Sequence, residues 1–250
     1  MRKYLYLSLG ICSACLFICK NSLAQNALTD TSSQQNALNN TLSLFYSSLS
    51  NQSPLYNGPE YSFYDPIIKG NAYYADVNAF TPGTVFYDRL LFRGVPMLYD
   101  LFSDKVVVLL FNHFSKFSLI NERVQSFDYL NHHFININAD TLSNNTVLKS
   151  GFYDELYKGK LQVLVKRSKN IQTSTGGQLG PESYFNPAID YYLRKNNTYY
   201  KISGKGSMLD VLKDKKKEIQ QYIRTNKINF RKEPEDAMVK IASYYDHLIN

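Results

Sequence analysis

The amino-acid sequence predicts an α+β protein in which an antiparallel meander (a curved sheet, half-barrel or sandwich) lies between an N-terminal helix and two or three C-terminal helices. Between residues 60 and 202, short apolar runs alternate with turn residues, which is typical of strands. After Gly206 the apolar spacing changes to that of helices. The chain contains 21 Tyr and 15 Phe but no Trp, and Tyr and Phe favour the half-buried faces of sheets.

The first 24 residues predict a signal peptide that is removed on export. A basic start is followed by an apolar run that ends at Cys19, and the small residues Ser22 and Ala24 then favour cleavage after Ala24. The apolar run is shorter than the about 20 residues that span a bilayer. An uncleaved anchor, or a lipoprotein acylated at Cys15 or Cys19, is the alternative. The mature chain is expected in the periplasm or at the outer membrane, with no transmembrane segment.

All three cysteines lie inside the predicted signal peptide, so we expect no disulfide and no thiolate chemistry in the mature chain. Residues 25–58 then predict a flexible polar N-terminus that contains one amphipathic helix, because apolar residues recur there at helical spacing. These residues are Leu38, Leu42, Phe45 and Leu49.

Residues 59–206 predict the β-rich body. Asp88-Arg89 and Asn196-Asn197 stand between apolar runs and predict two tight hairpins. Residues 105–111 are the most apolar run and favour a central strand, whereas Pro96 indicates an edge strand or a bulge. The predicted strands cover residues 84–87, 90–92, 95–100, 105–111, 117–119, 124–127, 134–137, 161–165, 188–193 and 198–202.

Residues 168–187 interrupt this pattern with a polar stretch that has no period. Gly176-Gly177 and Gly180-Pro181 add strong turn signals. We expect the longest irregular loop of the body here, either mobile or used for binding.

Residues 207–250 predict two or three helices that pack on the body, since isolated helices this short are marginal in water. Ser207 and Asp214 are suited to cap the first and second helices, and Pro234 fits the first turn of the third. The third helix has an apolar stripe that is predicted to be buried. The stripe comprises Ala237, Ile241, Tyr244 and Leu248.

Several segments together carry a family resemblance. They are Leu55-Tyr56-Asn57-Gly58, Gly94–Asp100 with Asp104, Ser150–Asp154 with Leu156, Tyr157, Gly159 and Lys160, Lys213–Glu218 and Tyr244–Asp246. In these segments the chain resembles a family of uncharacterised exported proteins of Gram-negative bacteria. The resemblance covers most of the mature chain and implies a signal peptide, a β-rich body and a helical C-terminal tail. It implies no functional residues, because no activity is assigned to that family.

The sequence favours a protein that is not an enzyme and needs no cofactor. His132 and His133 would point to opposite faces of a strand, and no metal-binding spacing is present, so no metal site is predicted. The Gly-x-Ser-x-Gly motif of serine hydrolases is absent from the sequence. The adjacent Asp154 and Glu155 could act on glycans only if the fold set them across a cleft, so a glycan hydrolase is the remote alternative.

Positive charge is concentrated at the C-terminal end. Residues 25–193 contain 12 Lys and Arg against 14 Asp and Glu, whereas residues 194–250 contain 13 against 7. A lysine run and a nearby arginine are therefore candidate contacts for an anionic surface, or else a solvated helix face. These candidates are Lys213, Lys215, Lys216, Lys217 and Arg224, and the basic surface would extend to Lys227, Arg231 and Lys232. Export and the acidic body argue against nucleic acid as a partner.

The expected function is a non-enzymatic binding or structural module of the cell envelope, with envelope lipid, glycan or protein as its partner. The alternative is a periplasmic carrier of lipid or lipoprotein, in which a curved sheet shelters an acyl chain in an aromatic groove. Phe111, Phe114 and Phe117 are the candidate lining residues of that groove, and an ordinary filled core is the competing explanation.

Overall fold

The computed structural model describes residues 53–142, 147–175 and 180–249, together with Ala37, Leu38 and Thr41. The chain divides into two compact units, residues 1–41 and 42–250. In the first unit the three described residues are helical, and the Thr41 hydroxyl donates a hydrogen bond to the Ala37 carbonyl at 2.9 Å. The predicted cleavage site at Ala24 and most of the predicted N-terminal helix lie outside the described residues.

The described part of the second unit contains ten strands in one open antiparallel sheet, which confirms the predicted β-rich fold. The strands are β1 (Thr81–Tyr87), β2 (Leu90–Asp100), β3 (Lys105–Leu109), β4 (Lys116–Ser118), β5 (Val124–Tyr129), β6 (His132–Ile137), β7 (Gly151–Lys158), β8 (Gln162–Ser174), β9 (Glu182–Lys195) and β10 (Thr198–Ile202). Their order in the sheet is β10–β9–β8–β7–β6–β5–β1–β2–β3–β4. β10 and β4 are therefore its two edges.

Tight turns set the register of the hairpins. Both predicted two-residue turns are present: Asp88 and Arg89 have φ of 49° and 66°, and Asn196 and Asn197 have φ of 50° and 61°. Positive φ at both central residues suits the right-handed twist of the strands on either side. These turns therefore join β1 to β2 and β9 to β10 without splaying the paired strands.

Pro96 lies next to a bulge in the interior of the sheet. β2 pairs with β1 on one side and with β3 on the other, so Pro96 is not on an edge strand. The register of β1 and β2 shifts between Gly83 and Thr84, where Gly94 is the extra residue of β2. Gly94 has a φ of 65°, which L side chains rarely adopt. The bulge thus accounts for both the glycine and the nearby proline.

Three features of the sheet differ from the predictions. Residues 168–187 do not form a long loop, because β8 continues to Ser174 and pairs with β9 from Glu182 onward. Both arms are mainly polar near their tip, so they lack the alternation that marks a half-buried strand. β7 is absent from the predicted strands because its first four residues are all buried and do not alternate. β3 is next to last in the sheet and not central.

β3 is nevertheless buried on both faces. Val106 and Val108 belong to the main apolar cluster, whereas Val107 belongs to a second cluster with Tyr61 and Tyr73. The segment before β1 therefore covers the second face of this end of the sheet. A strand that is buried on both faces has a continuous apolar sequence, as a central strand does. The sequence of β3 therefore predicts a central position although the strand lies next to the edge.

Aromatic side chains fill the main cluster. Phe127 and Phe134 stack with their ring centroids 4.7 Å apart, and Tyr99 packs edge-on against each of them at 5.1 Å. Phe152 packs edge-on against Phe127 at 5.2 Å. Each of these rings is 1% exposed. This face of the sheet therefore holds a packed core and not a groove.

The described C-terminal part contains three α-helices: α1 (Lys205–Val211), α2 (Lys216–Thr225) and α3 (Pro234–Leu248). They pack on β8, β9 and β10 through one apolar cluster, which includes Val163, Leu193, Ile202, Met208, Ile219 and Ile241. Pro234 occupies the first turn of α3, as predicted. Among the described residues, no helix has both the length and the apolar character that crossing a membrane requires.

The two residues predicted as helix caps do not occupy the N-cap positions, which belong to Gly204 in α1 and Lys215 in α2, but Ser207 takes part in a capping box. Ser207 lies inside α1, where its hydroxyl accepts the Gly204 N–H at 3.1 Å and donates to the Gly204 carbonyl at 2.8 Å. Asp214 lies in a short 3-10 turn before α2. Its carboxylate accepts hydrogen bonds from Lys195 at 2.5 Å and from the Tyr245 hydroxyl at 2.7 Å, so it ties α3 to β9 instead.

The buried stripe of α3 is rotated slightly from the predicted one. Ala237 and Ile241 are buried as predicted, whereas Tyr244 and Leu248 are half-buried. Tyr245 is buried in their place. Tyr244 stacks on a tyrosine of α2 with the ring centroids 4.0 Å apart, which joins the two helices at the surface.

Candidate functional site

A cleft of about 780 Å³, here called the basic cleft, lies where the helices meet one end of the sheet. Its walls come from Tyr191 on β9, from the chain that enters α1, from the end of α2, and from the loop of residues 226–233 that leads to α3. The reversal of the chain between α2 and α3 thus brings residues from distant parts of the sequence around one opening.

Four basic side chains line the basic cleft among the described residues: Lys205, Arg224, Lys227 and Arg231. All four residues are exposed. None of the salt bridges between described residues includes any of them, since those of the helical region use other cations. The described lining also contains no carboxylate and no imidazole. The described lining of the basic cleft therefore contains four positive charges and no negative charge.

Hydrogen bonds hold the loop that carries two of these cations. Lys227 has a φ of 51°, and the next N–H, of Ile228, donates to the Ile223 carbonyl at 3.0 Å. The Asn229 side-chain oxygen accepts the backbone N–H groups of Arg231 at 3.2 Å and of Lys232 at 3.1 Å. This is an Asx-type turn, in which a side chain fixes the backbone that follows it. The cations are thus attached to a folded loop.

Apolar and aromatic side chains form the rest of the wall. Ile223 is buried, and Ile228, Phe230 and Tyr191 are half-buried. All four belong to the apolar cluster that joins the helices to the sheet or pack against it. Burial, and after it the nearby Glu235 carboxylate, raises the pKa of Tyr191. Its hydroxyl therefore stays protonated at neutral pH and lies next to the Glu235 carboxylate.

The Glu235 carboxylate, which helps to raise the pKa of Tyr191, forms hydrogen bonds with an arginine. The Arg167 guanidinium binds the two Glu235 oxygens through two nitrogens, each at 2.9 Å. The same group donates to the buried Asp154 carboxylate at 2.9 Å. Burial acts to lower the pKa of Arg167, but these two carboxylates outweigh it and raise the pKa. Glu235 is thus paired with Arg167, although the single positive charge of Arg167 faces two carboxylates and leaves a net negative charge beside Tyr191.

Two smaller clefts differ from the basic cleft in chemistry. One, of about 390 Å³, contains charges that are already paired: Lys169 lies 2.5 Å from Asp76, and His132 lies 2.8 Å from Asp154. The other, of about 350 Å³, is lined by aromatic rings that include Phe63 and Phe185. Of these three clefts, the basic cleft is the one whose described lining contains several cations outside the salt bridges of the described residues.

The predicted anionic-surface residues are not brought together. Lys213 and Lys217 are exposed on the outside of the helical region, and neither lines the basic cleft. Lys215 lies 3.9 Å from Glu218, and Lys216 lies 3.1 Å from Asp210, so these two are partly neutralised. Arg224 is the one candidate of the five that lines the basic cleft.

Lys205 lies outside the predicted basic surface, because Gly204 and Gly206 on either side of it are typical of a turn. Lys227 and Arg231 are predicted to belong to the basic surface of the helices, but they lie in the loop between α2 and α3. A sequence signal was present: residues 219–232 contain four Lys and Arg and no Asp or Glu. Ile228 and Phe230, which lie between these cations, indicate a segment that packs against the protein and is not fully solvated.

The candidate groove residues lie elsewhere. Phe111 is 51% exposed and Phe114 is 79% exposed, whereas Phe117 packs against the main core. All three belong to the β3–β4 hairpin at one edge of the sheet, and the helices pack at the opposite edge. The groove that these residues were predicted to line is thus absent from the described structure at that position.

The histidines and the adjacent acids also separate. His132 and His133 contact different carboxylates, those of Asp154 at 2.8 Å and Asp128 at 2.6 Å. Asp154 belongs to the Arg167 network, whereas Glu155 accepts a short hydrogen bond from Gln162. Neighbouring residues of one strand thus serve opposite faces, which does not give the facing pair of acids that glycoside hydrolysis needs.

Comparison of the chain with protein-family models, with curated proteins and with solved structures finds no match. The resemblance to exported Gram-negative proteins therefore stays a prediction. The chemistry of the basic cleft is argued from its own side chains.

Proposed function

We propose that this chain is an exported, non-enzymatic binding module of the cell envelope that holds an anionic ligand in the basic cleft. The observation that carries the proposal is the convergence of Lys205, Arg224, Lys227 and Arg231 on one cleft with no described carboxylate among them. Like charges around a concave surface repel each other, and a bound anion removes that repulsion.

Binding is favoured over catalysis by the composition of the cleft. Acid–base and nucleophilic chemistry need a positioned base beside a reacting group. The described lining offers hydroxyl groups at Tyr191 and Ser203 and contains no carboxylate or imidazole, and the one carboxylate shown beside Tyr191, that of Glu235, is held by Arg167. The Ser203 hydroxyl is within 3.4 Å of the Ser207 hydroxyl and not of a base. These groups suit hydrogen bonding to an anion.

The preferred anion is a phosphate group. Arginine presents several N–H donors in a planar fork that matches phosphate oxygens, and lysine adds a point charge. The basic cleft contains two of each. Hydrogen bonds to charged groups contribute about 1.5–3 kcal/mol each, and surface charges are weakened by salt, so binding should decrease as ionic strength rises.

Calorimetric titration of the mature protein with pyrophosphate at low ionic strength tests this proposal. We expect saturable binding, and we expect Arg224→Gln with Lys227→Gln to weaken it by about a hundredfold, about tenfold for each charge. The matched control is Lys213→Gln with Lys217→Gln, which removes two exposed charges of the same helical region outside the cleft. Equal weakening by both double variants would refute a specific site.

The cellular location belongs to the same proposal. The basic, apolar and small-residue sections of residues 1–24 support export and cleavage after Ala24. Sequencing the N-terminus of the mature protein decides this. A mature chain that begins at an acylated Cys15 or Cys19 would make it a lipoprotein instead.

A further inference from the structure

We infer that the ligand of the basic cleft is an amphiphilic phosphate, that is, a phosphate ester whose other end is an apolar chain. This inference rests on the proposed function and adds the chemical class of the ligand to it. Two observations carry it: the size of the cleft and the apolar residues that alternate with its cations.

Size argues against inorganic phosphate alone. A phosphate group is only a few times larger than a water molecule, whose share of liquid volume is about 30 Å³. The basic cleft has a volume of about 780 Å³, which lies within the range of about 300–1,000 Å³ typical of sites for whole small molecules. A ligand that occupies this volume therefore has a substantial part besides its phosphate.

The wall indicates what that second part is. Ile228 and Phe230 are half-buried, and they alternate along one loop with the cations Lys227 and Arg231. Pro234 and Tyr191 add further apolar surface to the same cleft. An apolar chain that covers these side chains removes them from water, whereas a second phosphate would leave that surface without a favourable contact.

The hydrogen bonds of the loop strengthen this inference. The Asn229 side chain and the Ile228 N–H fix the backbone on both sides of the apolar residues. The alternation of cationic and apolar side chains is thus held in place before any ligand binds, which lowers the ordering cost of binding. The lipid site of this inference therefore lies in a different part of the fold from the β3–β4 hairpin, where the sequence predicts the aromatic groove of a lipid carrier.

The test compares two soluble ligands with the same phosphate ester but different apolar parts: glycerol 3-phosphate, and dihexanoyl phosphatidic acid below its micellar concentration. We expect the acylated ligand to bind at least about tenfold more tightly, as burial of apolar surface predicts. Phe230→Ser, or Ile228→Ser if the first variant unfolds, should weaken binding of the acylated ligand at least about tenfold more than binding of glycerol 3-phosphate and so remove that difference. The matched control is Phe114→Ser, which changes an exposed phenylalanine at the other edge of the sheet.

The outcomes separate the inference from the proposed function. Equal affinity for the two ligands, with both lost in the Arg224→Gln and Lys227→Gln variant, overturns the inference and keeps the anion site. No binding of pyrophosphate or of either ligand overturns the proposed function itself. A third arm uses vesicles of phosphatidylcholine with phosphatidic acid. Binding to these vesicles without binding of the monomeric lipid would indicate a membrane-surface contact and would also overturn the inference.

Discussion

Asp246 fastens the last helix to the turn between β7 and β8, and its removal should destabilise the protein strongly. Its carboxylate, 7% exposed, accepts the backbone N–H groups of Lys160 at 2.7 Å and of Leu161 at 3.1 Å. The Tyr157 hydroxyl donates to it at 3.0 Å. In an Asp246→Ala variant the buried Leu161 N–H would lose its acceptor, and a buried donor without a partner costs about 1–3 kcal/mol.

With the two other hydrogen bonds included, we expect Asp246→Ala to lower the free energy of unfolding by about 3–5 kcal/mol. Urea unfolding followed by circular dichroism measures it. Asp236→Ala is the control on the same helix, because Asp236 makes an exposed pair with Lys240 at 2.7 Å. That change should cost less than about 1 kcal/mol. A loss of similar size for both variants would refute the assignment.

Gly159 offers a second, independent test of the same contact. A methyl group added there would lie 2.1 Å from the nearer Asp246 carboxylate oxygen and 2.8 Å from the Tyr157 hydroxyl. Gly159→Ala should therefore displace the carboxylate and destabilise the wild-type protein. In the Asp246→Ala background much of that clash is gone, so we expect a coupling free energy of about 1–3 kcal/mol. Simple additivity of the two changes would contradict the proposed contact.

Two further predictions concern the charged network and the tyrosines. Arg167→Ala leaves the Asp154 side chain, which is 1% exposed, without its guanidinium partner. Urea unfolding should show that the free energy of unfolding decreases by about 3–5 kcal/mol, and a decrease under about 1 kcal/mol would contradict this. Burial chiefly raises the pKa of Tyr64, Tyr74 and Tyr153 from 10.0 to about 12. The stability that these raised pKa values represent is present below pH 10 and lost as pH rises through about 12. Unfolding measured up to about pH 12 should show this decrease, and unchanged stability would refute it.

The strands that could be predicted are those whose two faces differ, together with β3, whose sequence is apolar almost throughout. Asn196-Asn197 and Asp88-Arg89 mark turns by their own conformational preference, so the hairpins around them follow from local sequence. β7 and the outer halves of β8 and β9 could not be predicted in this way. The first is buried on both faces at its start, and the others are polar near their tip, so none of them alternates.

The basic cleft was only partly predictable for a different reason. The surplus of positive charge in the C-terminal residues is visible in the sequence. Which of these cations converge depends on where α2 ends and on the loop that reverses the chain toward α3. Lys205 and Arg231 line the same cleft, although 25 residues (206–230) lie between them in the sequence. Such convergence is a property of tertiary structure.

The position of β1 between β2 and β5 has a consequence for how the chain folds. It divides the sheet into two meanders, β1–β4 and β5–β10, in which each strand pairs with its neighbour in sequence. The pairing of β1 with β5, where Val85 lies opposite Phe127, joins the two meanders. Local hairpins close short loops, whereas this seam closes a longer one and loses more chain entropy.

The seam should therefore limit the rate of folding. In stopped-flow experiments, Val85→Ala is expected to slow refolding, because its contacts form as the two meanders join. Leu193→Ala, in the β9–β10 hairpin at the far end of the sheet, should act mainly by speeding up unfolding. The opposite assignment of the two effects would mean that the meanders join late. The order of strands in the sheet therefore predicts the order in which the strands pair during folding.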